Sequence, residues 1–178
     1  MKIIIEGLDR CGKSTLIENI IKHYKKPFMK LHFYGPPFKD KSKDIQFDKE
    51  LYGSLLNAFN LFDNVIADRS HLGALVYSPL YRGHDGSHVL DIGSDFPECT
   101  ILITLIDNAT NLLLRDDGLS FSTDLDKKNK EIQLFIDAHK TSSIKNKLII
   151  DVSDKDIQEV FEISRNFIDS IEDEELFN

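Results

Sequence analysis

The sequence predicts an α/β domain built on a five-stranded parallel sheet with helices on both faces, and three observations predict it. Short apolar runs, Ile3-Ile4-Ile5, Phe28 to Phe33, Val65-Ile66-Ala67, Thr100 to Ile106 and Leu148-Ile149-Ile150, alternate with stretches of helical periodicity. Most of these runs are apolar on successive residues rather than alternate ones, the pattern of strands buried on both sides. The first run leads directly into Gly7-Leu8-Asp9-Arg10-Cys11-Gly12-Lys13-Ser14-Thr15, which has the form G-x-x-x-x-G-K-[ST] between a strand and a helix.

That loop is the stretch around which the chain is organised. Gly7 and Gly12 let backbone N–H groups curl around a polyphosphate, and the helix that follows turns its positive end toward it. Lys13 adds a charge for the β- and γ-phosphates, and the Ser14 hydroxyl suits a magnesium ion. Asp9, Arg10, Cys11 and Thr15 complete the expected nucleotide-binding set. Cys11, at a helix N-terminus beside cations, is expected to react faster than Cys99.

The remaining elements follow in order. Leu16, Ile17, Ile20, Ile21 and Tyr24 give the first helix one apolar stripe. After the second strand, Tyr34-Gly35-Pro36-Pro37-Phe38 breaks regular structure, and Lys39 to Asp44 reads as a charged loop holding Asp40 and Asp44. From Phe47, the residues Leu51, Leu55, Ala58, Phe59 and Phe62 recur at helical spacing, with Tyr52 and Leu56 off the stripe. The third strand ends in Asp68-Arg69-Ser70. His71 to Leu80 reads as a helix stopped near Pro79 or Gly83, and Gly83 to Pro97 as a connector with a short helix around Val89. After the fourth strand, Asp107 or Asn108 caps a short helix, and Asp116 to Leu125 sits where a lid would close. Ile132, Phe135, Ile136 and His139 mark another helix. After the fifth strand, Ser153 is the expected cap of the last one. Right-handed crossovers place ligands at the carboxyl ends of such strands, where the glycine loop, Tyr34 to Phe38 and Asp68-Arg69 all fall.

Composition narrows the class of partner. One domain spanning residues 1–178 accommodates the length, and a formal charge of −8 with a pI near 5.2 argues against stable binding to nucleic acid or anionic membranes. The spacing of Cys11 and Cys99 fits neither a metal site nor a disulfide framework, so a reducing cytoplasm is the expected location. Met1 leads at once into the first strand, which leaves no room for a signal peptide, and no apolar run suits a membrane span. A switch GTPase is disfavoured because no N-K-x-D element occurs: Asn129-Lys130 is followed by Glu131-Ile132.

Glu6-Gly7-Leu8-Asp9-Arg10-Cys11-Gly12-Lys13-Ser14-Thr15 resembles the P-loop of the thymidylate kinase family, E-G-x-D-[RG]-x-G-K-[ST]-[ST]. Asp68-Arg69-Ser70-His71, with Val76 to Gly83, is similar to the D-R segment of that family's phage and bacterial branch. The element order agrees over essentially the whole chain. The resemblance implies a P-loop kinase fold with a short lid, ATP and Mg²⁺ as cofactors, nucleotide substrates and a homodimer. It implies that Arg10 touches the transferring phosphoryl group, that Asp9 meets the deoxyribose 3′-hydroxyl, and that Arg69 holds the acceptor phosphate. Arg115, near the lid, is the other candidate catalytic arginine, and Asp68 a candidate partner of Ser14 at the metal. From charge alone, Lys39 or Arg82 could join Arg69. Tyr34, Phe38, Tyr52 and Phe59 are candidates to stack on a base. The family's F-P-x-R segment is missing, since Phe33 to Lys39 contains no arginine. The acceptor is expected to be dTMP or a related pyrimidine deoxynucleotide. A deoxynucleoside kinase and a non-catalytic nucleotide-binding module are the alternatives.

Overall fold

The computed structural model describes residues 1–33, 40–115, 118 and 122–176, with side chains through Asp173. Five strands form one parallel sheet: β1 (Lys2–Gly7), β2 (Met29–His32), β3 (Val65–Asp68), β4 (Thr100–Ile106) and β5 (Asn146–Asp151), in the spatial order β2-β3-β1-β4-β5. Ile3 pairs with Ile66 on one side and Ile101 on the other. The three central strands are buried on both faces, whereas β2 alternates between half-buried and exposed residues as an edge strand does. Each fully buried isoleucine of β1 contributes about 1.5–3 kcal/mol of transfer free energy.

Among the described residues six α-helices connect and cover the strands: α1 (Lys13–Tyr24), α2 (Lys41–Leu61), α3 (Leu72–Tyr77), α4 (Ala109–Leu114), α5 (Leu125–Thr141) and α6 (Ile157–Leu176). α1 packs with α6, and α3 packs with α5. A π-helical turn over Ser78–Arg82 continues α3 and ends at Gly83, whose φ of 72° is left-handed. No helix among the described residues is long and apolar enough to cross a membrane.

Two elements differ from expectation, the start of α2 and the cap of α6. α2 begins at Lys41, inside the segment expected to be a loop, because Asp40 caps it by accepting a hydrogen bond from Ser42 N at 3.0 Å. Its buried stripe is Asp44, Asp48, Tyr52, Leu55 and Phe59, so two carboxylates sit on the helix's buried face and Tyr52, expected off the stripe, lies on it. Residues Ser87–Asp95 form a 3₁₀ helix that buries Val89 and Gly93. At α6 the cap is Asp156 rather than Ser153: Asp156 Oδ1 accepts from Glu159 N and Asp156 N donates to Glu159 Oε2, both at 2.8 Å. Asn108, not Asp107, caps α4.

Candidate active site

The loop from Gly7 to Gly12 is shaped by positions only certain residues fill. Gly7 has φ 130°, and a Cβ there would overlap the Leu105 carbonyl oxygen of β4. Arg10 (φ 67°) and Gly12 (φ 84°) are both left-handed, which turns the peptide N–H groups into a concavity that binds anions. Gly12 also starts α1, its carbonyl accepting from Leu16 N at 3.0 Å. Lys13 is buried, and its Nζ donates to the Leu8 carbonyl across the loop. Burial lowers its pKa, with the Arg69 charge adding to the effect. An anion against the loop would relieve both.

The end of β3 supplies the opposite wall. Asp68 Oδ2 lies 3.4 Å from Ser14 Oγ, which donates to it, and 2.9 Å from His32 Nδ1 of β2. Asp68 Oδ1 is buried with no hydrogen-bond partner among the described residues. A carboxyl oxygen left without a donor beside a serine hydroxyl is a donor set that suits Mg²⁺. Asp68 makes no cap to α3, which begins four residues later.

Arg69 follows in a left-handed conformation (φ 77°), held by Arg69 N donating to Ile5 O at 2.9 Å. Its guanidinium forms an ion pair with Asp9. Burial works to raise the Asp9 carboxyl, but the Arg69 and Lys13 charges, the Arg69 hydrogen bond and Lys128 outweigh it and hold Asp9 below its ordinary value. Glu6 lies beneath this pair. It accepts from Ser70 N at 2.6 Å and Ser70 Oγ at 2.8 Å, and burial raises its carboxyl despite these bonds and the Arg69 charge. On the α5 side, Lys128 and Glu131 form a buried ion pair at 2.8 Å, and the Tyr81 hydroxyl donates to the other Glu131 oxygen.

Arg115 stands on the other rim of the loop. Its Nη1 donates to Asp107 Oδ2 at 2.7 Å and to the Arg10 carbonyl at 3.2 Å, so it braces the P-loop from outside. Beside it a cleft of about 200 Å³ is lined by Arg10, Gly12, Thr15, Arg115, Val152 and Lys155, among others. Val152 and Lys155 follow β5 and had no motif to mark them.

Arg82 pairs with Asp48 of α2 at 3.5 Å instead of with the Arg69 group. His84 and His88 bond Asp44 and Asp48 at 2.8 and 3.1 Å, completing a second buried polar cluster that sequence reasoning missed. Its signal was present in the i, i+4 spacing of Asp44, Asp48 and Tyr52. Tyr52 and Phe59 are core residues, Phe59 packed edge-on to Phe96. Tyr34, Phe38, Lys39 and half of the expected lid lie outside the described residues. Cys11 is buried rather than presented, and burial pushes its thiol up to about 12.

The sequence matches no family model and no curated protein. Solved structures do match in three dimensions. The YorR protein of Bacillus subtilis, in complex with phosphorylated GDP, superposes with a TM-score of 0.70 at 18% identity, covering 95% of this chain and 96% of its own. The fold is that of the P-loop nucleotide kinases. Thymidylate kinase from Candida albicans gives a TM-score of 0.66 at 18% identity, with 94% of this chain and 90% of that one covered. Deoxyadenosine kinase from M. mycoides with bound dATP gives 0.66 at 18% identity, with 95% and 100% covered. These similarities span both chains almost entirely.

Proposed function

We propose that this protein is an ATP-dependent deoxynucleoside monophosphate kinase that transfers the γ-phosphate of ATP to dTMP or a related pyrimidine deoxynucleotide. The observation that carries this reading is the half-buried Asp9–Arg69 pair at the joined ends of β1 and β3, directly beside the phosphate loop. A monophosphate brings about two negative charges that must be paired once desolvated, and Arg69 offers a planar, permanently charged fork for them. The thymidylate kinase likeness of the loop and D-R segment supports the same acceptor.

In this reading ATP lies with its base in the cleft at Thr15, Arg115 and Val152 and its phosphates in the loop. Lys13 releases the Leu8 carbonyl to the β- and γ-phosphates, and Arg10 meets the charge that spreads over the transferring group. Ser14 and Asp68 would hold Mg²⁺, which would supply neutralising charge to the phosphates. Asp9 orients Arg69 until the acceptor arrives and lies within reach of its sugar.

A second reading, a deoxynucleoside kinase, is favoured by one observation: Glu6 is a buried carboxylate of raised pKa beside Arg69, the kind of group that accepts a hydroxyl proton. Against it, both Glu6 oxygens are already engaged by Ser70 and Gly7. Initial rates with ATP, Mg²⁺ and a panel of nucleosides and monophosphates separate the two. Arg69→Ala is expected to lower kcat/KM for the monophosphate by at least about 3 kcal/mol, roughly 150-fold, as for loss of a buried charge-assisted pair. A folded variant that loses less than about tenfold would remove Arg69 from the acceptor site.

A further inference from the structure

We infer that His32, the last residue of β2, is a positioning residue for the metal site: its Nδ1–H fixes one carboxyl oxygen of Asp68 and leaves the other to the divalent cation of the nucleotide complex. The inference rests on the assignment of Ser14 and Asp68 to Mg²⁺ in the proposed function. It adds a residue that no sequence motif and no fold comparison marks.

β2 and β3 run parallel with His32 in register against Asp68, each the last residue of its strand. The two side chains meet there, His32 Nδ1 lying 2.9 Å from Asp68 Oδ2. The main chain around Asp68 is fixed on both sides, because Phe33 N donates to the Asp68 carbonyl at 3.2 Å and Arg69 N donates to Ile5 O at 2.9 Å. What remains to be set is the rotation of the carboxyl group. Ser14 Oγ, at 3.4 Å from Oδ2, is beyond the usual range of a hydroxyl hydrogen bond, so among the described residues His32 makes the one short bond to this carboxyl group. Asp68 Oδ1 is buried with no hydrogen-bond partner among the described residues, a desolvated oxygen that a cation would satisfy. A carboxyl group that binds a cation has given up its proton and only accepts, so His32 must carry its hydrogen on Nδ1. Ligating carboxylates are oriented by such outer hydrogen bonds, and losing one lowers metal affinity by about ten- to a hundredfold.

The pair does little to hold the sheet together. β2 and β3 are already matched over Met29–His32 and Val65–Asp68, and the His32 side chain is 36% exposed, where an ion pair adds little to stability. Variants at this position are therefore expected to fold.

The test uses Mn²⁺ in place of Mg²⁺. Its dissociation constant from the protein–ADP complex is read from the loss of the free Mn²⁺ paramagnetic resonance signal, with protein in excess of ADP, and ADP binding in EDTA is measured by calorimetry. His32→Ala is expected to raise the Mn²⁺ dissociation constant at least about tenfold, and His32→Asn, whose amide N–H stands near the place of Nδ1, to stay within about threefold of wild type. Both are expected to bind ADP in EDTA within about twofold of wild type. A folded His32→Ala variant that holds Mn²⁺ within about twofold of wild type overturns the inference, as does equal loss in His32→Ala and His32→Asn, or equal weakening of ADP without metal. Asp68→Asn that binds Mn²⁺ as tightly as the wild type would instead overturn the metal role of Asp68 in the proposed function itself.

Discussion

Between Arg10 and Gly12 the backbone turns left-handed on either side of Cys11, and the turn carries the thiol inward among Lys13, Asp107 and Arg115. Desolvation then outweighs the neighbouring cations that favour a thiolate, and a pKa near 12 leaves roughly one thiol in 10⁴ ionised at pH 8. Cys99 is partly exposed. Alkylation at pH 8, located by mass spectrometry, is therefore expected to label Cys99 at least about tenfold faster than Cys11. Faster labelling of Cys11 would show that the loop opens its thiol to solvent. The sequence marked the helix N-terminus beside Cys11 but not the direction of the side chain, which depends on the φ values of its neighbours.

At the scale of elements, the β1–loop–α1 unit was legible because its glycines announce the turns they make. Gly7 is the most constrained of them. Gly7→Ala combines a φ of 130° with overlap between the new Cβ and the Leu105 carbonyl, and it is expected to cost at least about 3 kcal/mol of stability in urea unfolding. A loss under about 1 kcal/mol would show that β1 and β4 can separate there. The start of α2 was illegible for the opposite reason. Asp44 and Asp48 occupy buried positions that an apolar pattern should fill, and their partners His84, His88 and Arg82 come from a segment about 40 residues later. Periodicity registers hydrophobicity, so a helix face closed by charge pairing reads as a loop. The Asp9–Arg69 pair was hidden in the same way: each residue sat in a recognised motif, but their contact follows only from the parallel register of β1 and β3.

For the molecule as a whole, burial of titratable groups sets how stability depends on pH. His71, stacked on Phe96 beneath α3, has its pKa lowered by burial from 6.5 to about 4. The unfolded chain takes up a proton below pH 6.5 that the native state refuses until about pH 4. Stability is therefore present above the unfolded value and lost as pH falls through this window, by up to about 3 kcal/mol from this residue. Glu6 acts in the opposite sense, since a buried carboxyl of raised pKa favours the native state at lower pH. Urea midpoints between pH 7.5 and pH 4.5 should fall in the wild type and fall less steeply in His71→Leu, whose effect on absolute stability cancels from the slope. Equal slopes would show that His71 is protonated in the native state.

If Arg69 at the end of β3 receives a phosphorylated acceptor, dTMP and not thymidine is the compound consumed. A single reaction containing the protein, ATP, Mg²⁺ and equal amounts of thymidine and dTMP, resolved by anion-exchange chromatography over time, tests it most directly. dTMP is expected to fall and dTDP to rise in step with ADP while thymidine stays constant. Consumption of thymidine ahead of dTMP, with dTMP accumulating, would contradict it and move the acceptor role from Arg69 to a proton-accepting carboxylate such as Glu6.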